Sequence, residues 1–272
     1  MTATVLNDYS LLRFSGADAP AFLQGQLTCD VLALKPGTGT YGGYCNPKGR
    51  LLATFLLIAD AAGFIMMLPA ALAEPIRKRL AMYILRSKVK LEDVSATHVA
   101  CSTPGSQASS ALSLPGHRTL AILPRDQANG IGADSGAWAA ADIAAGIPVI
   151  TPATQEEFVP QMVNLDLIGG LSYSKGCYPG QEIVARMHYL GRLKQRMYRV
   201  LIRAETVAAG QKVYCDALGD QASGMMLSAT QTGDGWDALA VLQTAHARAS
   251  PYHLGTPDGP LLQIAALPYA VD

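Results

Sequence analysis

The stretch SKGCYPGQEIVAR, residues 174–186, sets a cysteine between glycine and tyrosine, with a lysine two positions before it and Pro-Gly-Gln-Glu after it. It reads as a reactive thiol, a ligand-binding turn, or an ordinary loop with a buried cysteine. Pro179 suits a first helical position, because its missing N–H would be unpaired there anyway. A helix then runs through GQEIVARMHYL and stops at Gly191 as a C′ glycine. This puts Cys177 just ahead of a helix N-terminus, where free N–H groups and the positive dipole end favour a thiolate, with Lys175 as a second positive influence. The competing reading is packing, since cysteine is among the most often buried residue types. Glu182 and Arg186 stand at i, i+4 and form either a surface pair worth a few tenths of a kcal/mol or part of a binding site. In the second case the Glu182 carboxylate accepts two N–H donors from a flat heterocycle with a guanidine-like edge, such as a pterin.

Working outward, the 272 residues include 21 acids and 21 bases, 50% of the chain is apolar and only 15% is charged. A chain of this size buries enough surface to fold without staples, and the balanced charge argues against a nonspecific nucleic-acid coat. Cys29, Cys45, Cys101, Cys177 and Cys215 are odd in number with no C-x-x-C pair. Free thiols in a reducing compartment follow, without a disulfide framework or metal cage. MTATVLNDYS lacks the basic and apolar regions of a signal peptide. The apolar run over residues 51–73 has a turn signal at Asp60-Ala61-Ala62-Gly63 and Pro69 in its second half, so it reads as a buried hairpin. The expectation is a soluble, cytoplasmic protein with no membrane contact.

Ser15 and Asp18 fit a capping box ahead of a helix whose face carries Phe22, Leu23, Leu27 and Val31. Two apolar runs flank the Asn46-Pro47-Lys48-Gly49 turn, and with FIMML they predict a three-stranded meander. Residues 70–87 repeat Leu72, Ile76, Leu80 and Ile84 at helical spacing, with Glu74 and Lys78 able to pair. SKVKLEDVSATHVACS and RTLAILPRD read as strands, residues 102–116 as an exposed loop, and SGAWAAADIAAGIP as a helix ending at Gly146. Thr154 and Glu157 fit a second capping box limited by Pro160. From about residue 197, short strand-like runs at regular spacing predict a small antiparallel barrel or sandwich. Arg186, His188, Arg192, Lys194, Arg196, Arg199 and Arg203 form the only basic run, with no acid among residues 183–204. It is either a solvated strand edge or a landing site for a carboxylate tail, a phosphate or an acidic partner.

KGCYPGQE resembles the K-G-C-Y-x-G-Q-E signature of the YgfZ family, folate-dependent proteins related to the glycine cleavage T-protein. LQGQLTCDV, YCNPKGRLLATFLLI, RSKVKLED and FVPQMVNLDLIGGLSYSKGCYPGQEIVAR are similar to YgfZ segments in the same order, and the near-terminal LPY also fits. The resemblance implies an α+β, T-protein-like ring of three modules: a folate-binding body of two interleaved modules over residues 1–196 and a C-terminal β-barrel over 197–272. It implies tetrahydrofolate or a one-carbon derivative as cofactor, bound through Glu182, Gln181, Gly180, Tyr178 and Arg186, with Cys177 as the working thiol and Lys175 as its support. It further implies a role in iron–sulfur protein assembly or repair, with partners such as radical tRNA methylthiotransferases and no direct contact with nucleic acid. The aspartate pair of aminomethyltransferases falls on Ala53-Thr54, so ordinary aminomethyl transfer is expected to be poor, general acid–base help being worth ~10²–10⁴-fold. The alternative is a tetrahydrofolate-dependent transferase of the T-protein class whose carboxylate comes from elsewhere.

Overall fold

The computed structural model describes residues 3–103, 111–115, 118–191, 193–233 and 235–271. Its strands form three systems. The first sheet contains β2 (Tyr9–Ser15), β3 (Gly39–Cys45), β4 (Leu51–Asp60), β5 (Gly63–Pro69) and β6 (Lys90–Asp93), in the order β3-β4-β5-β2-β6. The second takes β1 (Thr4–Val5) with β7 (His98–Thr103), β8 (Leu112–Leu114), β9 (Arg118–Pro124) and β10 (Gly132–Ala133), in the order β10-β1-β7-β9-β8. The chain thus begins in one sheet, crosses to the other and returns, and this interleaves the two. The third system is a closed antiparallel barrel of β11 (Gln195–Ile202), β12 (Lys212–Cys215), β13 (Ala222–Thr232), β14 (Gly235–Gln243), β15 (Tyr252–Leu254) and β16 (Leu261–Ala265).

The apolar run over 51–73 is a hairpin as expected: β4 pairs antiparallel with β5 across the Asp60–Gly63 turn. No helix among the described residues is long and apolar enough to cross a membrane. Helix α2 (Ala70–Ile84) buries Leu72, Ile76 and Leu80, while Glu74 pairs with Arg77 and Lys78 on its outer side. Helix α3 (Ser135–Ala145) is capped by the Asp134 side chain and ends at Gly146 with φ 67°. The Tyr269 hydroxyl of the LPY segment donates to the Gly146 carbonyl at 2.7 Å, which fastens the chain's end to the end of α3.

Four expected elements differ. Helix α1 spans only Ala19–Gln24, and Asp18 accepts the Lys88 N–H in place of capping it. Leu27 and Val31 are buried all the same, as part of a turn that pairs with β3 through Leu27 and Tyr44. Thr154 opens no helix, and the next helical turn is a 3₁₀ turn over Pro160–Val163. The Thr154 hydroxyl accepts the Thr151 N–H, and Glu156, at φ 63°, donates its N–H to the Leu51 carbonyl of β4, so the chain is pulled toward the sheet. Helix α4 begins at Gln181 and runs to Tyr189, two residues later than Pro179 predicts, with Gly180 as N-cap at φ 81°. Residues 104–110 and 116 of the expected loop lie outside the described residues, whereas 112–114 form β8.

Gly180 shows why the motif needs glycine. A Cβ there would stand 2.5 Å from the Asn46 carbonyl oxygen and 2.6 Å from the Gly49 backbone. Gly169 has a similar φ of 77°, but a methyl group there would meet nothing within 4 Å. Gly169→Ala should therefore cost about 1–2 kcal/mol in urea unfolding through its left-handed conformation alone. Gly180→Ala should cost about 1–3 kcal/mol more through backbone overlap.

Candidate functional site

Helix α3 carries Trp138 and Asp142 one turn apart, both buried, and presents them across the first sheet. Together with Tyr9, Tyr41, Thr54, Phe55 and Ile147 they line a narrow, partly open cavity. The Asp142 Oδ1 accepts from Arg118 Nη1 at 2.7 Å, and its Oδ2 receives a long 3.4 Å contact from the Tyr9 hydroxyl. Arg118 lies 4.4 Å above the Trp138 ring, extends Nη2 to the Tyr41 hydroxyl at 3.5 Å and donates Nε to the Pro115 carbonyl. Arg118 therefore joins the indole, over which it lies, to the carboxylate, to which it donates.

Burial raises the Asp142 carboxyl to about 6, against the opposing pull of Arg118 and the hydrogen bonds it accepts. The hydroxyls of Tyr9 and Tyr41 are pushed well above the usual phenol range, by burial first and by the Asp142 charge second. Near neutral pH the site thus holds one carboxylate between two neutral phenols. The cavity pairs flat apolar walls with that carboxylate, and this suits a flat heterocycle that offers N–H donors at one edge.

The residues singled out from the motif do not line this cavity. Cys177 is exposed, three residues before the α4 cap. Lys175 is 8% exposed and sends its ammonium inward, to the carbonyls of Gln24 at 2.6 Å, Cys29 at 3.0 Å and Leu27. All three of its donors are engaged there, and burial lowers its pKa to about 8. Glu182 and Arg186 are exposed on α4, and no ion pair joins them among the described residues. Tyr178 is buried in the main core, Gln181 turns its Nε2 toward the Lys175 carbonyl at 3.5 Å, and Gly180 packs on the 46–49 turn.

The basic run disperses. Arg196 makes a two-point contact with Asp166 and also donates to the Gln161 carbonyl, while Arg199 grips Asp237. His188 stacks on Tyr173 at 3.8 Å, Arg186 is exposed, and Arg192 lies outside the described residues. Lys194 immediately precedes β11, which starts at Gln195.

Ala53 and Thr54 are both buried on β4, and the Thr54 hydroxyl accepts the Ile150 N–H at 2.9 Å beside the cavity. The cavity's carboxylate comes from α3 instead, and the sequence carried a sign of it: Asp142 is the lone charge in an otherwise apolar helical run, four residues after a tryptophan. Tyr9 and Arg118 arrive from distant strands and have no local signal.

Cavity and barrel together define a class of protein, that of the glycine cleavage aminomethyltransferase fold. The crystal structure of glycine cleavage system aminomethyltransferase T from Bartonella henselae matches with a TM-score of 0.75, covering 98% of this chain and 85% of that one at 14% identity. A protein named tRNA-modifying protein YgfZ from Yersinia pestis (strain Pestoides F) is 31% identical over 309 aligned positions, which cover 100% of this chain and 93% of that protein. Its namesake from Hamiltonella defensa is 30% identical, covering 86% of this chain and 80% of its own length. The chain belongs to the YgfZ family. No family profile matches the chain.

The thiols are unequal in access. Burial pushes Cys29 and Cys45 up to about 12 and Cys101 also upward, and Cys215 is buried in the barrel. Native protein treated with iodoacetamide at pH ~8, near the ordinary thiol pKa, should carry the label on Cys177 at least roughly tenfold faster than on any other cysteine, as read by peptide mass spectrometry. Comparable labelling of Cys29 or Cys45 in folded protein would contradict this arrangement.

Proposed function

We propose that the protein binds a tetrahydrofolate by its pterin head in the aromatic cavity, and that Cys177 serves iron–sulfur proteins, among them radical enzymes that methylthiolate tRNA. The observation that carries the folate reading is the Asp142 carboxylate, set in an aromatic slot with one oxygen held closely by Arg118 and the other only loosely by Tyr9. Such a carboxylate accepts two N–H donors from the pterin's guanidine-like edge, while Tyr9, Tyr41 and Trp138 cover its faces. The relatives' name supports the link to tRNA modification, and the fold of the aminomethyltransferase supports the folate.

Truncating one side of a buried charge-assisted contact costs ~2–5 kcal/mol. Asp142→Asn should thus weaken tetrahydrofolate binding at least tenfold in calorimetry, with Glu182→Ala within about twofold of the unsubstituted protein. The reverse pattern would move the pterin to α4 and restore the motif glutamate as its anchor. The carboxyl is ionised above about 6 and protonated below, and only the ionised form accepts both donors. Affinity should therefore fall as pH drops from about 7 to about 5, and the Asp142→Asn variant should show a flatter profile.

A second reading, one-carbon transfer with a carboxylate from elsewhere, is favoured by Asp142 itself, whose value near 6 suits general acid–base work. Its fixed contact with Arg118 weighs against that role. Purified protein given aminomethylated lipoyl carrier and tetrahydrofolate should show no turnover at ordinary enzyme rates, and turnover would promote this reading. In cells, Cys177→Ser should reproduce loss of the protein as reduced methylthiolated tRNA without unfolding it. Full complementation would exclude the thiol from that role.

A further inference from the structure

Lys175 sits two residues from the exposed Cys177, yet its own ammonium is buried. Nζ donates to the carbonyl of Gln24, the last residue of α1, and to those of Leu27 and Cys29 in the turn that follows it. These three are spaced for the three N–H bonds of an ammonium, whereas a planar guanidinium could not direct its donors to all of them. On its remaining side the ammonium faces the Tyr178 ring, 5.2 Å from the centroid. The same two segments are stitched by other bonds as well: Ser172 N–H donates to the Thr28 carbonyl, and the Thr28 hydroxyl donates to the Gly170 carbonyl. The Ser172 hydroxyl accepts the Lys175 N–H, and Gln181 reaches back to the Lys175 carbonyl.

Residues of an extended segment point to opposite sides at odd offsets and to similar sides at even ones, so the spacing alone does not put Lys175 inward and Cys177 outward. The hydrogen bonds at Ser172 and the left-handed Gly180 fix the two ends of the loop between which the two side chains diverge. Burying an ammonium is costly unless every donor finds an acceptor, and here all three do.

We infer that Lys175 is a positioning residue, an internal cation that closes a three-carbonyl cage at the end of α1 and thereby holds the 172–180 loop so that Cys177 is presented to solvent. The cage recognises a primary ammonium, and the lysine acts on the thiol through loop geometry and not through its charge. Only the functional meaning of this clamp rests on the reading of Cys177 as the working thiol.

The test uses the full chain with Lys175→Met, which keeps the volume and removes the donors, and Lys175→Ala, which empties the cage. Hydrogen exchange of residues 24–30 and 172–180 should quicken at least tenfold in both variants while the barrel strands stay unchanged, and the Cys177 alkylation rate should change at least threefold at every pH from 6 to 9. In Lys175→Ala, n-propylammonium chloride should restore protection and alkylation rate, whereas tetramethylammonium chloride at the same concentration should not. Should Lys175→Ala fail to fold, the exchange and alkylation of Lys175→Met decide. Unaltered exchange in both segments of the folded Lys175→Met variant would overturn the clamp. So would a pure shift of the alkylation midpoint along the pH axis, the signature of charge acting at a distance, and so would absence of rescue by propylammonium in a folded Lys175→Ala variant. If the clamp fails while Cys177→Ser still abolishes function in cells, the proposed function stands without it.

Discussion

One continuous apolar core ties the first sheet to the outer wall of the barrel, and the rest of the structure depends on it. Leu23, Leu51, Leu57 and Phe158 pack in the same cluster as Met197, Met225, Leu227, Leu239 and Val241. Those barrel residues alternate with Tyr198, Val200, Met226, Ala238 and Ala240, which fill the barrel's own interior. The long barrel strands are therefore apolar on both faces, one for the barrel and one for the body. A second cluster joins Leu11, Leu56, Ile65 and Met67 of the first sheet to Ala100 and Leu120 of the second sheet and to Trp138 of α3. The first sheet is thus covered on both faces, and the cavity opens where its second cover meets α3.

Two ion pairs caught in this packing are directional. Arg118 with Asp142 and Arg196 with Asp166 are both largely buried. Such pairs add little net stability, because desolvation offsets most of the attraction, while breaking one by removing a partner costs about 3–5 kcal/mol. Their value here is geometric. Arg118 fixes the Asp142 carboxylate at the cavity wall, and Arg196 with Asn164, which donates to the Met197 carbonyl, fixes the barrel to the segment ahead of the motif.

Much of this was legible in the sequence. The hairpin over 51–73, α2, α3 and the change of texture at the barrel follow from periodicity and turn residues, which act over a few neighbours. The two failed capping boxes show the limit of that kind of reading, since Asp18 and Thr154 found other partners, at Lys88 and Thr151. The octapeptide identified the family, yet its residues divide by role. Gly180 permits a backbone contact, Lys175 fills a carbonyl cage and Tyr178 packs, while Cys177 and Glu182 reach the surface. Asp142 was missed because its meaning depends on Tyr9 and Arg118, 133 and 24 positions away. Contacts of that range leave no pattern along the chain.

The central claim is that the pterin head and the motif thiol occupy different places, one in the α3 cavity and one on the α4 side. A crystal structure of the complex with tetrahydrofolate tests this most directly. The pterin edge should lie within hydrogen-bond distance of the Asp142 carboxylate, between Tyr41 and Trp138, with Glu182 still exposed. A pterin bound against Glu182 and Gln181 at the head of α4, with the Asp142 carboxylate held by protein groups alone, would contradict it.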